Sequence, residues 1–226
     1  MIYAAPEHEF EASHGLPAAL PKGERILWQG SPDFKSLARH AFHVPTLAAY
    51  FGVLLLVRGA LAMSDGASFA TALGSAAMLL PLAVIAVALV TLLAWLAARS
   101  AVYTLTNRRL VMRIGIVLNI TFNLPLTTLS AAGLKLYADG SGDIPLTLSG
   151  EDNIAYPHLW PHARPWQIKR TQPMLRCVPD AARVGALLTE AAANVKSVMP
   201  NAVVVTNVNA PVRSSNAAIN RSAIAA

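Results

Sequence analysis

The sequence is poor in charged residues. They make up 13% of its 226 residues, against 54% that are apolar, whereas about 25% of residues are charged in an average soluble domain. The 33 residues between Asp65 and Arg99 contain no Lys, Arg, Asp or Glu, and as a helix they exceed the ~30 Å of a bilayer core. This excludes an ordinary soluble protein. A polytopic transporter is also disfavoured, because no stretch outside residues 45–98 is long and apolar enough to span.

Cysteine is almost absent, since Cys177 is the only one. An intramolecular disulfide and a Cys-based metal site are therefore excluded, which fits a soluble part that faces a reducing compartment. Residues 1–15 contain no Lys or Arg and lack the basic and apolar regions of a signal peptide. We expect the chain to enter the membrane through its own first helix.

Two membrane spans are predicted within a hairpin at residues 45–98, one at about 45–63 and the other at about 72–97. Pro81 is expected to kink the second span. Arg58 lies five residues before the end of the first span. It either snorkels to the interface, which we favour, or pairs with anionic lipid or with a helix of a partner.

Lys and Arg are distributed as expected for a membrane protein with both termini in the cytoplasm. Residues 1–44 contain four of them, the loop 64–68 contains none and residues 99–226 contain thirteen, and positively charged loops stay on the cytoplasmic side. The formal net charge is +6. Topogenesis and attraction to anionic headgroups explain this excess more simply than nucleic-acid binding does.

From residue 99 onward the sequence changes to short alternating runs that are typical of β-strands. The runs VYTLT and RLVMRIGI flank a turn at Asn107 and Arg108, and a glycine turn separates LKLYA from IPLTLS. We expect Leu110, Met112 and Ile114 to share one face of their strand, with Arg109, Val111 and Arg113 on the other face.

A helix is predicted after Pro179, because Val184, Leu187, Leu188 and Ala191 recur at helical spacing. The predicted fold is an α+β membrane protein with a two-helix transmembrane hairpin, an antiparallel β sandwich or barrel and a C-terminal helix. Its expected parts are an N-terminal cytoplasmic segment (1–44), the hairpin (45–98), a cytoplasmic β domain (99–195) and a disordered tail (196–226).

Residues that could support catalysis have simpler explanations. The sequence has no nucleophile elbow, zincin, P-loop or dinucleotide-binding motif. Asp139 and Asp143 bracket a glycine turn, and the adjacent Glu151 and Asp152 lie in a polar loop, where they are more often solvated than bound to a cation. We therefore predict that the protein is not an enzyme and has no catalytic residue, no cofactor and no metal.

Two histidines, one helical turn apart, lie immediately before the first span. His40 and His43 either hold a metal or a pigment at the membrane surface or are interfacial residues at a helix entrance. We favour the second interpretation, because amphipathic residues are common at that depth.

A segment rich in proline and aromatic residues, at 156–179, is the predicted partner-binding region. It is either a structural loop packed on the sheet or a recognition surface. Aromatic residues and arginine contribute disproportionately to interfaces, and proline reduces the entropy lost on binding. The candidate partner contacts are Trp160, His162, Arg164 and Trp166.

Four arginines of the second half are candidates for contact with anionic lipid: Arg99, Arg108, Arg109 and Arg113. The alternative is that they are topogenic charges on a solvated face. Contact with headgroups is considered because Arg99 places the following strands within a few residues of the bilayer.

The run YTLTNRRL at residues 103–110 resembles the first hairpin of the bacterial pleckstrin-homology (PH)-like domain family. The runs KGERILWQGSPD (22–33), HLWPHARPW (158–166) and QPMLR (172–176) resemble the PuhB family of photosynthetic-complex assembly proteins of purple bacteria. This resemblance implies a PH-like β domain in a non-enzymatic inner-membrane (or intracytoplasmic-membrane) factor, one that transiently scaffolds nascent reaction-centre and core light-harvesting polypeptides.

Reaction-centre or light-harvesting polypeptides and membrane lipids are thus the expected partners, with a homo-oligomer also possible and nucleic acid not expected. The alternative is a general membrane-tethered PH-like module that binds lipid or peptide.

Overall fold

The computed structural model describes residues 15–16, 18–116, 118–149, 154–197 and 204–207. Its elements in chain order are β1 (Ile26–Gly30), α1 (Phe34–His40), α2 (Val44–Ser64), α3 (Phe69–Ala77), α4 (Leu80–Ser100), β2 (Val102–Thr106), β3 (Arg109–Ile114), β4 (Ile120–Pro125), a 3₁₀ turn (Leu126–Thr128), β5 (Leu129–Leu136), β6 (Gly142–Leu148), α5 (Tyr156–Leu159), β7 (Met174–Val178), α6 (Ala181–Ser197) and β8 (Val204–Asn207).

Helices α2 to α4 form the apolar hairpin that the sequence predicts. All of α2 is described and none of its side chains is buried. The chain from Phe69 to Ser100 is likewise long and apolar enough to cross a membrane. Its helix is interrupted at Met78 and Leu79, just before Pro81 in the first turn of α4. Proline favours this position because it has no N–H to donate within a helix.

In the part of the chain that the structure describes, the β domain consists of two four-stranded sheets. The first has the order β1-β2-β3-β4 and is antiparallel throughout, and the second has the order β7-β6-β5-β8 with β8 parallel to β5. The turn between β2 and β3 is held by Thr106, whose Oγ1 accepts the N–H groups of Arg108 and Arg109. Two apolar helices followed by predominantly antiparallel sheets and a packed C-terminal helix confirm the predicted fold class.

The core lies between the two sheets and is closed by α6. Leu110, Met112 and Ile114, which the alternation places on one face of β3, are buried there, and Val184 and Leu188 of α6 join them. Val111, on the opposite face of β3, is also buried. Part of that outer face is covered by residues 15–16: Gly15, with φ of +80°, lies so close to Val102 that a Cβ there would be 2.6 Å from Cγ1.

Two segment assignments differ from the sequence interpretation. Strand β1 lies before the hairpin but pairs with β2 after it, so residues 26–30 belong to the first sheet rather than to a separate N-terminal segment. Helix α6 continues to Ser197, and residues 204–207 form β8, within the stretch that the sequence treats as a disordered tail. The rest of that tail and the Glu151–Asp152 pair lie outside the described residues.

Candidate functional site at the base of the hairpin

Helix α1 joins the apolar hairpin to the second sheet. Asp33 caps the helix, because its side chain accepts the N–H of Ser36 at 2.8 Å, and its own N–H donates to the carbonyl of Cys177 at 2.8 Å. Leu37 is buried against the end of α4, where small alanines allow a close approach, and against Cys177. The base of the hairpin and the end of β7 are therefore packed as one unit around α1.

Polar contacts complete this junction. The hydroxyls of Ser36 and Ser141 lie 2.6 Å apart, and the ring of His40 stacks on Tyr137 at 3.7 Å between centroids. Tyr137 donates to the buried carboxylate of Asp143 at 2.6 Å, which also accepts the N–H of Cys177 at 2.8 Å. Asp143 thus binds the backbone of β7 and a neighbouring tyrosine, which is a structural role.

The thiol of Cys177 is unsuited to nucleophilic chemistry. Burial, together with the negative charge of Asp143, raises its pKa to about 12, and the thiolate is the reactive form of cysteine. Among the residues that the structure describes, no three His, Cys, Asp or Glu side chains are grouped so as to hold a metal ion. Of the two histidines that precede the first span, His40 stacks on Tyr137, and His43 has a φ of 51° at the start of α2.

His162 is a core residue rather than a surface contact. It is 1% exposed, and its Nδ1 lies 2.6 Å from the hydroxyl of Tyr103. Burial, followed by the nearby charge of Arg176, lowers the pKa of His162 to about 3. The ring is therefore neutral at pH 7, and Tyr103 can donate to Nδ1 while it accepts the N–H of Arg176 at 3.3 Å.

The other three candidate partner contacts surround the same segment. Trp160 is 51% exposed and packs edge-on against Phe42 at 5.7 Å. The side chain of Arg164 donates to that of Gln172 at 2.9 Å, and Trp166 is 92% exposed. Trp160 and Trp166 are thus at the surface, Arg164 is hydrogen-bonded within the chain, and His162 is buried.

The four candidate lipid contacts do not form one patch. Arg99 is exposed at the end of α4, 5.8 Å from the ring of Trp95, and Arg113 lies opposite Val102, two residues beyond α4. Arg108 and Arg109 lie at the other end of the β2–β3 hairpin. Arg109 is four residues, or about 14 Å, from Arg113 along β3.

Arg109 is also occupied by an ion pair. Its Nε donates to Glu24 at 2.7 Å, and Thr106 donates to the same carboxylate oxygen at 2.8 Å. Burial raises the pKa of Glu24, but the hydrogen bonds from Arg109 and Thr106 outweigh this and hold it below its usual value. Arg109 therefore joins β3 to the chain just before β1.

Three residues of this region were not identified by the sequence reasoning: Glu24, Phe42 and Asp143 as a buried acceptor. Each bonds or packs with a residue whose proximity follows only from the fold. The only sequence signal for Glu24 was its place in the run KGERILWQGSPD, and for Asp143 its place at the end of a glycine turn.

A family model described as bacterial PH domain matches residues 51–192, which begin within α2 and end within α6. A relative from Rhodobacter capsulatus is 40% identical over 190 residues, covering 82% of this chain and 87% of its own length. It is named an uncharacterized 23.7 kDa protein in the puhA 5′ region. No solved structure matches the chain significantly. With more than half of its length matched, this chain belongs to the bacterial PH domain family.

Proposed function

We propose that this protein is a non-enzymatic assembly factor of the PuhB type for the photosynthetic reaction centre and its core light-harvesting complex. The observation that carries the proposal is the relative encoded in the puhA 5′ region, a photosynthesis locus, with 40% identity over 190 residues. Membership of a family of typically non-catalytic binding modules supports it.

The proposal includes a membrane topology. Helix α2 and the α3–α4 pair would cross the inner or intracytoplasmic membrane, with both termini in the cytoplasm. Its support is the distribution of Lys and Arg, four before the hairpin, none in loop 64–68 and thirteen after it. Alkaline phosphatase fused after Gly66 should be active and fused after Ser197 inactive, and the reverse would contradict the topology.

The proposed mechanism is transient scaffolding. The exposed apolar side chains of α2 and α4 offer a packing surface to nascent helices within the bilayer, where van der Waals contact drives association. The junction at α1 holds the β domain against the base of the hairpin. The cytoplasmic portion of a partner, or a second copy of the chain, would then meet the domain at the membrane surface. No bond is made or broken.

Deletion of the gene tests the proposal. Reaction-centre absorbance, normalised to an unrelated membrane protein, should fall severalfold and return when the full chain is supplied in trans. A matched strain that expresses a chain truncated after Ser100 should not recover, because it keeps the hairpin and lacks the β domain. Unchanged absorbance in the deletion strain would refute the proposal.

A second candidate function, a general peptide- or lipid-binding module, is favoured by one observation. An open groove of about 340 Å³ lies between the ends of β4 and β6, a volume within the range of small ligand sites. It is lined by Asn123, Leu124, Pro125, Thr128, Leu148, Ser149 and Ile154. Crosslinking from residue 149 in cells would distinguish the two: capture of unrelated proteins or lipids in place of photosynthetic polypeptides favours the general module.

A further inference from the structure

The loop of residues 165–170, called here the Trp166 loop, is closed at its base. The backbones of Ala163 and Pro173 form a β-bridge. Next to it, the N–H of Arg164 donates to the carbonyl of Gln172 at 2.9 Å, and the side chains of the same two residues bond at 2.9 Å. The loop is therefore a defined projection from the domain rather than an extended connection.

The tip of the Trp166 loop combines exposed apolar and basic side chains. Trp166 is 92% exposed and Ile168 is 66% exposed, and Lys169 and Arg170 follow on the exposed surface. Trp166 has a φ of 65°, a conformation that is costly for a bulky residue and that turns the chain at this point. Tryptophan beside Lys and Arg is the composition of a membrane-interface anchor.

The base of the loop is tied to both ends of the helical hairpin. On one side, Trp160 packs on Phe42, two residues before α2 begins. On the other side, His162 bonds to Tyr103, three residues after α4 ends. The Trp166 loop therefore emerges close to the level at which both helices would enter the bilayer.

We propose that the Trp166 loop is an interfacial anchor: Trp166 and Ile168 enter the cytoplasmic leaflet, and Lys169 and Arg170 bind anionic headgroups. The bilayer is favoured over a protein as the occupant because the hairpin holds it permanently beside the loop. Insertion is then intramolecular and occurs at a high effective concentration. The proposal requires the hairpin to cross the membrane but does not require the photosynthetic role.

Depth measurements on spin labels test the anchor. The full chain, in a Cys177→Ser background, carries one label at Ile168→Cys and is placed in nanodiscs of phosphatidylcholine and phosphatidylglycerol. Leu56→Cys on α2 is the lipid control. Thr127→Cys is the water control, since it is exposed in the 3₁₀ turn beside Arg108, at the end of the β2–β3 hairpin that lies away from α4. The label at 168 should collide more with oxygen than with a water-soluble nickel complex, as at 56 and unlike at 127.

The outcomes separate this anchor from the membrane topology. A water-exposed label at 168 with a lipid-exposed label at 56 overturns the anchor alone, whereas water exposure at both sites overturns the topology as well. If the label at 168 is shielded from the nickel complex only in native membranes with assembling complexes, the anchor is also overturned. That result favours the predicted partner contact of Trp166.

Charge and tryptophan provide independent readouts. Lys169→Gln with Arg170→Gln should reduce the depth at 168 in discs that contain phosphatidylglycerol, and should change little in phosphatidylcholine alone. The emission of Trp166, taken as the difference between the full chain and Trp166→Phe, should be quenched by brominated lipids. Absence of quenching would contradict the anchor even if a cysteine variant failed to fold.

Discussion

The Tyr103–His162 pair shows how a residue type that attracts functional interpretation serves packing. A histidine in a proline-rich aromatic segment suggests recognition, but this ring is neutral and bonded within the core. Its partner is 59 residues away in sequence, so no local pattern reveals the contact. Trp160 and Trp166, for which exposure was expected, are at the surface. The buried and the exposed members of this segment could therefore not be distinguished from the sequence.

Replacement of Tyr103 by Phe should destabilise the protein by about 1–3 kcal/mol, because Nδ1 of His162 and the N–H of Arg176 would lose their partner inside the core. Urea unfolding of the full chain in detergent, followed by fluorescence, measures the change. Tyr156→Phe is the matched control, since that half-buried ring packs against the same core. An equal shift for both variants would contradict the role assigned to the hydroxyl.

His162 should also make stability depend on pH. Its pKa is about 3 in the folded chain and about 6.5 when unfolded, so between these values the unfolded chain binds the additional proton. The stabilisation is complete above about pH 6.5 and is lost as the pH falls towards 3. The urea midpoint of the wild type should therefore fall more steeply between pH 7 and pH 5 than that of His162→Phe. Parallel pH profiles would refute this.

At the scale of elements, local signals were readable and long-range pairings were not. The β2–β3 hairpin follows from alternation and a two-residue turn, and the interruption before α4 follows from Pro81. Strand β1 was missed because β2, its partner, lies beyond the whole hairpin in sequence. The α1 junction was missed for the same reason, since Leu37 meets alanines of α4 and Cys177.

Leu37 should be the principal apolar contact of the junction. Leu37→Ala should lower the free energy of unfolding by about 2–5 kcal/mol, the usual range for a cavity in a packed core. It should also weaken the packing of α1 against α4 and Cys177. Trypsin would then cut at the exposed Lys35 and Arg39 several times faster than in the wild type. Leu136→Ala, at a more exposed leucine, should leave the cleavage rate unchanged. Equal cleavage of the two variants would show that α1 is held by other contacts.

The candidate arginines should contribute to lipid selectivity according to their distance from the end of α4. Arg99→Gln and Arg113→Gln should each reduce the preference for spin-labelled phosphatidylglycerol over phosphatidylcholine, because a cation near the surface contributes about 1 kcal/mol. Arg108→Gln should have little effect, since the ~14 Å between the ends of the hairpin exceeds the Debye length of about 8 Å at physiological salt. An equal or larger effect at Arg108 would contradict this assignment.

At the scale of the whole molecule, the scarcity of charge is confined to one hairpin, and a bacterial PH domain is built around its base. Strand β1, which precedes the helical hairpin, completes the first sheet. Helix α1 packs against the end of α4, and Trp160 packs on Phe42, just before α2. The domain is thus held at the hairpin in a fixed orientation. The proposed scaffold would use this arrangement to hold partners in the bilayer and at its surface.

Pulse-labelling tests the central claim most directly. The full chain, tagged at its C-terminus, is isolated at intervals after a short pulse of labelled amino acids in cells that are forming photosynthetic complexes. Transient scaffolding predicts that labelled reaction-centre or light-harvesting polypeptides are recovered with it early and are lost during the chase as they appear in mature complexes. Recovery of none of these polypeptides at any time, or their permanent retention, would contradict the account.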